Sequence, residues 1–71
     1  MKTRITTLRK IANRIGFSVY PQGGQWILSS AEGELLHYSV TSEREALMVG
    51  LRRANNRGLL NFDEQKSMRN A

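Results

Sequence analysis

Phe17-Ser18-Val19-Tyr20-Pro21-Gln22-Gly23-Gly24-Gln25-Trp26-Ile27-Leu28-Ser29-Ser30 opens the stretch that decides the fold, and Ala31-Glu32-Gly33-Glu34-Leu35-Leu36-His37-Tyr38-Ser39-Val40 completes it. Three short runs, FSVY, QWILSS and LLHYSV, are rich in β-branched and aromatic residues, and two turn-forming segments separate them. Pro21 presets its own φ, while Gly23, Gly24 and Gly33 accept φ above zero. The expectation is two successive hairpins, an antiparallel three-stranded meander. Alternation along the strands assigns Phe17, Val19, Trp26, Leu28, Leu36, Tyr38 and Val40 to the inner face. Ser18, Tyr20, Gln25, Ile27, Leu35 and His37 fall on the outer one.

On the N-terminal side, Ile5, Leu8, Ile11, Ala12 and Ile15 recur at helical spacing, which predicts an amphipathic helix over 3–15 with Gly16 as its stop. Its opposite face carries Thr6, Lys10, Asn13 and Arg14, with Arg9 on the flank. On the C-terminal side, Thr41-Ser42-Glu43-Arg44-Glu45 reads as the start of a second helix, Ser42 and Glu45 forming a capping box. Leu47, Gly50, Leu51 and Ala54 make its inner stripe, and Gly58 caps its end in the left-handed conformation, with Leu59 or Leu60 as the accompanying apolar contact. The predicted domain spans 1–58 as an α+β αβββα unit, followed by a tail over 59–71. That tail is either a short helix from Asn61, capped by Glu64, or a frayed end.

The 71 residues hold one domain and a small core. Without cysteine and with His37 as the lone histidine, the sequence offers no disulfide framework and no zinc tetrahedron, so no metal or cofactor is expected. No stretch has signal-peptide length or approaches a membrane span, which gives the expectation of a cytoplasmic protein without membrane contact. His37 lacks a nucleophile nearby in sequence, and the glutamates are accounted for by turns and caps. No enzyme is expected.

Charge is the remaining signal. Lys2, Arg4, Arg9, Lys10 and Arg14 occupy the first fifteen residues with no acidic residue among them, and these five charges equal the formal net charge of +5. A one-sided basic helix points to a polyanion, because lysine and arginine neutralise phosphates and arginine does so bidentately. Arg9, Lys10, Asn13 and Arg14 are therefore the primary candidate contacts to nucleic acid, DNA or RNA. Arg52, Arg53 and Arg57 are secondary ones, although cations near a helix C-terminus also serve the helix dipole. Tyr20 and His37 are candidates for base stacking or phosphate contact, and Trp26 for the core.

Over residues 3–57 the order helix, three strands, helix resembles the double-stranded-RNA-binding domain in layout, which implies an α+β fold that contacts RNA. The segment from Gly24-Gln25-Trp26 through Thr41-Ser42-Glu43-Arg44-Glu45-Ala46 is similar to the arm-site DNA-binding domains of tyrosine recombinases, which implies a sheet-borne DNA contact. The second and third strands here carry no lysine or arginine, so contacts fall to the helices. The alternative partner is a host protein, met by a small interaction module of the kind that phages and other mobile elements encode. Ile27, Leu35, Val49, Leu59, Leu60 and Phe62 exceed what one small sheet and two helices cover, leaving open a tail folded over the sheet or a homodimer.

Overall fold

The computed structural model describes residues 2–30, 35–40 and 42–71, the side chains of 35–39 excepted. Its frame is a small α+β domain made of one helix, an antiparallel hairpin and two further helices. Helix α1 (Ile5–Ile15) leads through Gly16 to strands β1 (Phe17–Gln22) and β2 (Gln25–Ser30). Gly16 ends α1 at φ 90°, a left-handed conformation that costs glycine nothing, and its amide donates to the carbonyls of Ala12 and Asn13. Extended backbone resumes at Leu35–Val40 (β3), followed by α2 (Glu43–Asn56) and α3 (Phe62–Arg69).

The β1–β2 pairing runs without interruption from Phe17↔Ser30 to Gln22↔Gln25, with Gly23 and Gly24 at positive φ in the turn. Beyond it, β3 meets β2 at Trp26↔Val40, Leu28↔Leu36 and Ser29↔Leu35, with a register shift between Trp26 and Leu28. The regular three-stranded meander expected from the sequence is therefore corrected to a regular hairpin with an irregularly attached edge segment. The turn over 31–34, the residue before Ser42 and the side chains of Leu35, Leu36, His37 and Tyr38 lie outside the described residues.

Helix α2 starts where expected, the Ser42 hydroxyl accepting from the Glu45 amide, but the return bond of a capping box is not formed there and the Glu45 side chain is exposed. Its end is a full Schellman turn: Gly58 at φ 72° donates to the Asn55 carbonyl and Leu59 to that of Ala54. Leu60, rather than Leu59, is the apolar residue that turns inward. The tail is no frayed end. Asn61 and Glu64 make both bonds of a capping box, each 2.9 Å, and start α3.

Leu8, Ile11 and Ala12 of α1 meet Leu47, Leu51 and Ala54 of α2 in one apolar seam, and Leu60 closes it. Among the described residues, α3 packs on α1 and α2 and not on the sheet, so the tail folds back over the helices instead of over the strands. The hairpin closes the seam from the other side through Phe17 and Val19, consistent with the inner-face assignment. Ile27, assigned outward, is only 4% exposed. Its register partner on that outer face is Tyr20, which is 38% exposed. The correction is one of environment: alternation sets the face, whereas burial depends on what lies over it.

Gly50 sets the distance between α2 and the hairpin. A Cβ there would lie 2.5 Å from Phe17 Cε2, 2.6 Å from its Cζ and 3.1 Å from Leu28 Cδ1. Replacing a mid-helix glycine with alanine ordinarily stabilises by up to about 1 kcal/mol. Here the ring must move, so Gly50→Ala is expected to destabilise by about 1–3 kcal/mol in urea denaturation. In a Phe17→Leu background the added methyl meets a smaller side chain, and its penalty should shrink. A Gly50→Ala protein more stable than the parent would show that the packing is not close.

Candidate nucleic-acid interface

The basic face of α1 is less free than its sequence implies. Arg9 donates from Nε and Nη2 to both carboxylate oxygens of Glu43, the Nη2–Oε2 distance being 2.8 Å. Arg14 likewise engages both oxygens of Glu64 through Nε and Nη2, and its Nη2 also donates to the Leu59 carbonyl at 2.8 Å. The carboxylates come from residues 34 and 50 positions away in sequence. Each sits in the first turn of its helix, where negative charge also favours the exposed amides. Arg14, assigned from the sequence to the face opposite the apolar stripe, lies instead at the edge of that stripe, as Arg9 does, and the two arginines hold the N-termini of α3 and α2.

These pairs set the titration of their members. Hydrogen bonding to Arg9 holds the Glu43 carboxyl below its ordinary range, and hydrogen bonding to Arg14, with the Asn61 amide adding to it, does the same for Glu64. Both guanidiniums are pushed further up by the same bonds. The Glu64 residue is only 8% exposed, while both arginine side chains remain about half exposed, at 54% and 50%. Charge neutralisation leaves Arg9 and Arg14 able to offer remaining N–H groups, but with little net positive charge for a phosphate.

The other sequence candidates are placed as follows. Lys10 and Asn13 are exposed on the outward back of α1, beside Thr6. Arg52 and Arg57 are exposed on α2 and just past it; Arg53 is half-buried and engaged by a neighbouring group. Tyr20 stands partly exposed on the outer face of the hairpin, away from the helices, and Trp26 is half-buried on the inner face. The candidates therefore divide between the back of α1, the outward side of α2 and the far side of the hairpin, and do not converge on one point.

A second cation grouping was not evident from sequence. Thr3 donates from its amide to the Asn70 carbonyl at 2.8 Å and from Oγ1 to the Ser67 carbonyl, and its own carbonyl accepts from Arg44 Nη1 at 2.8 Å. This clasp brings Lys2 and Arg4 beside the last turn of α3, which contains Lys66 and Arg69. Lys2, Arg44 and Arg52 also line one open cleft of about 570 Å³. The only sequence signal for this grouping was the count of cations near each end, since nothing in the pattern pairs residue 3 with residues 67 and 70.

No set of three or more histidine, cysteine or carboxylate side chains is arranged to hold a metal among the described residues. No helix among them is long and apolar enough to cross a membrane. Comparison with protein-family models, with curated proteins and with solved structures finds no match to this chain.

The depressed carboxyls carry a pH signature. A carboxylate with a lowered folded pKa contributes stability that is fully present above its unfolded value, near 4.3, and lost as pH falls through the lower folded one. Stability of the wild type should therefore decline from about pH 4 downward, with α3 amides exchanging first because Glu64 both caps that helix and holds Arg14. Glu64→Gln should be less stable at neutral pH and flatter in its acid profile. Hydrogen exchange read by NMR across that range is the check, and parallel profiles for the two proteins would remove Glu64 from this role.

Proposed function

We propose that the chain is a small non-enzymatic nucleic-acid-binding protein that contacts phosphates through the outward faces of its helices. One observation carries the reading: after Arg9 and Arg14 are engaged by Glu43 and Glu64, Lys10, Arg52 and Arg57 still stand exposed in a chain of net charge +5. Such groups release condensed counterions when they meet a phosphate backbone. Lys10 with Asn13 on α1 forms the principal contact, and Arg52 and Arg57 the supporting one, with Arg53, half-buried and already engaged, contributing at most secondarily. Arg9 and Arg14 position α1 against its neighbours and contribute secondarily, through the donors that the glutamates leave over.

Fluorescence anisotropy with labelled duplex DNA, single-stranded DNA and duplex RNA, each at low and physiological salt, tests the reading. Salt-sensitive binding to one form is expected, with a log–log slope of about −0.9 per neutralised phosphate on duplex DNA. A Lys10→Glu, Arg52→Glu, Arg57→Glu protein should keep its circular dichroism and lose most of that slope. Absence of binding to every probe at low salt overturns the proposal.

A second reading, a protein-interaction module or a homodimer, is favoured by the corner between α2 and α3. Leu59 is 51% exposed and Phe62 73%, a pair of large apolar side chains left in solvent beside the buried Leu60. Sedimentation at two concentrations separates a self-associating chain from a monomer.

A further inference from the structure

The cleft that Lys2, Arg44 and Arg52 share is built differently from the outward helix faces. Its described floor is aliphatic, formed by Val40 at the end of β3 and by Met48 and Val49 of α2, all half-buried. Three cations surround it against one side-chain carboxylate, that of Glu45. The cations come from three separate places: the segment before α1, the first turn of α2, and the third turn of the same helix. Arg44 is fixed in place by its bond to the Thr3 carbonyl, and Thr3 is fixed in turn by α3. An apolar floor flanked by three cations and one side-chain carboxylate, beside an N-terminal segment held by both Arg44 and α3, is complementary to a chain that carries apolar and acidic side chains together.

We propose that this cleft receives an acidic, leucine-type segment of a partner polypeptide. An apolar side chain of the partner lies on Val40, Met48 and Val49, and flanking carboxylates meet Lys2, Arg44 and Arg52. Met48 suits the role because an unbranched thioether adapts to the side chain it covers. The ion pairs at the open rim steer and orient, and the floor supplies the burial. This interaction goes beyond the phosphate contacts of the helix backs: it shares Arg52 with them, whereas Lys10 and Asn13, the principal phosphate contact, lie on α1 and do not line the cleft.

A fluorescein-labelled peptide of paired glutamates and leucines is the probe, with two control peptides in which glutamine replaces glutamate or serine replaces leucine. Saturable, salt-sensitive anisotropy is expected for the first peptide and at least tenfold weaker binding for each control. Arg52→Glu and Val49→Ser should each weaken it by about tenfold or more, whereas Lys10→Glu, on another face, should leave it unchanged. Circular dichroism of each variant confirms folding, and Lys2→Glu gives a second charge reversal outside any helix. Failure of the peptide to bind, or equal binding by Arg52→Glu and Val49→Ser, overturns the proposal. Displacement of the peptide by unlabelled oligo-dT that is itself weakened by Val49→Ser would reassign the cleft to single-stranded nucleic acid and overturn it equally.

Discussion

The seam between α1 and α2 is the contact on which everything else rests. Leu8 and Leu51 are fully buried within it, Ile11, Leu47 and Ala54 nearly so, and the hairpin and α3 are placed by adding to its edges. The hairpin covers one side through Phe17 and Val19, and Leu60 brings the start of α3 to another. A chain of this length buries only about 60% of its unfolded surface, so its elements must share a small core. The close approach at Gly50 follows from the same shortage: a thin domain gains most by bringing its one sheet hard against its central helix.

Arg9 and Arg14 show how such a domain uses charge. Both lie at the margins of the apolar stripe of α1, where a long side chain can cover the edge of the seam and place its head on a neighbouring helix. Their carboxylate partners occupy first-turn positions, so each pair joins an ion pair to a helix terminus that already favours negative charge. The half-exposed guanidiniums make these modest contributors to stability, and their value lies more in fixing orientation. The surface left for partners is accordingly set by which cations the fold does not use.

Much of the backbone was legible in the sequence. The helical spacing of Ile5, Leu8, Ile11 and Ala12, the stop at Gly16, the turn at Gly23-Gly24, the Ser42 cap and the Gly58 terminator are all local signals, and each stands where the pattern put it. Extended backbone was legible at Leu35–Val40, but its shifted register against β2 was not, because register is a property of a pair. Asn61 and Glu64 carried a helix signal of equal quality to that of Ser42. What the sequence alone could not decide was whether eight residues would find enough to pack against. The charged site was the least legible part, since Arg9 and Arg14 have no acidic neighbour in sequence and acquire one only through contacts 34 and 50 residues long.

Those separations tie the two ends of the described fold to each other. The stretch from α1 to α2 contains nearly all of the seam, through Leu8, Ile11, Leu47 and Leu51. Arg14 reaches forward to Glu64, just as Thr3 reaches Ser67 and Asn70. Helix α3 therefore acts as a fastener for a segment more than sixty residues ahead of it, and fraying of its last turn would release the stretch before α1 along with it.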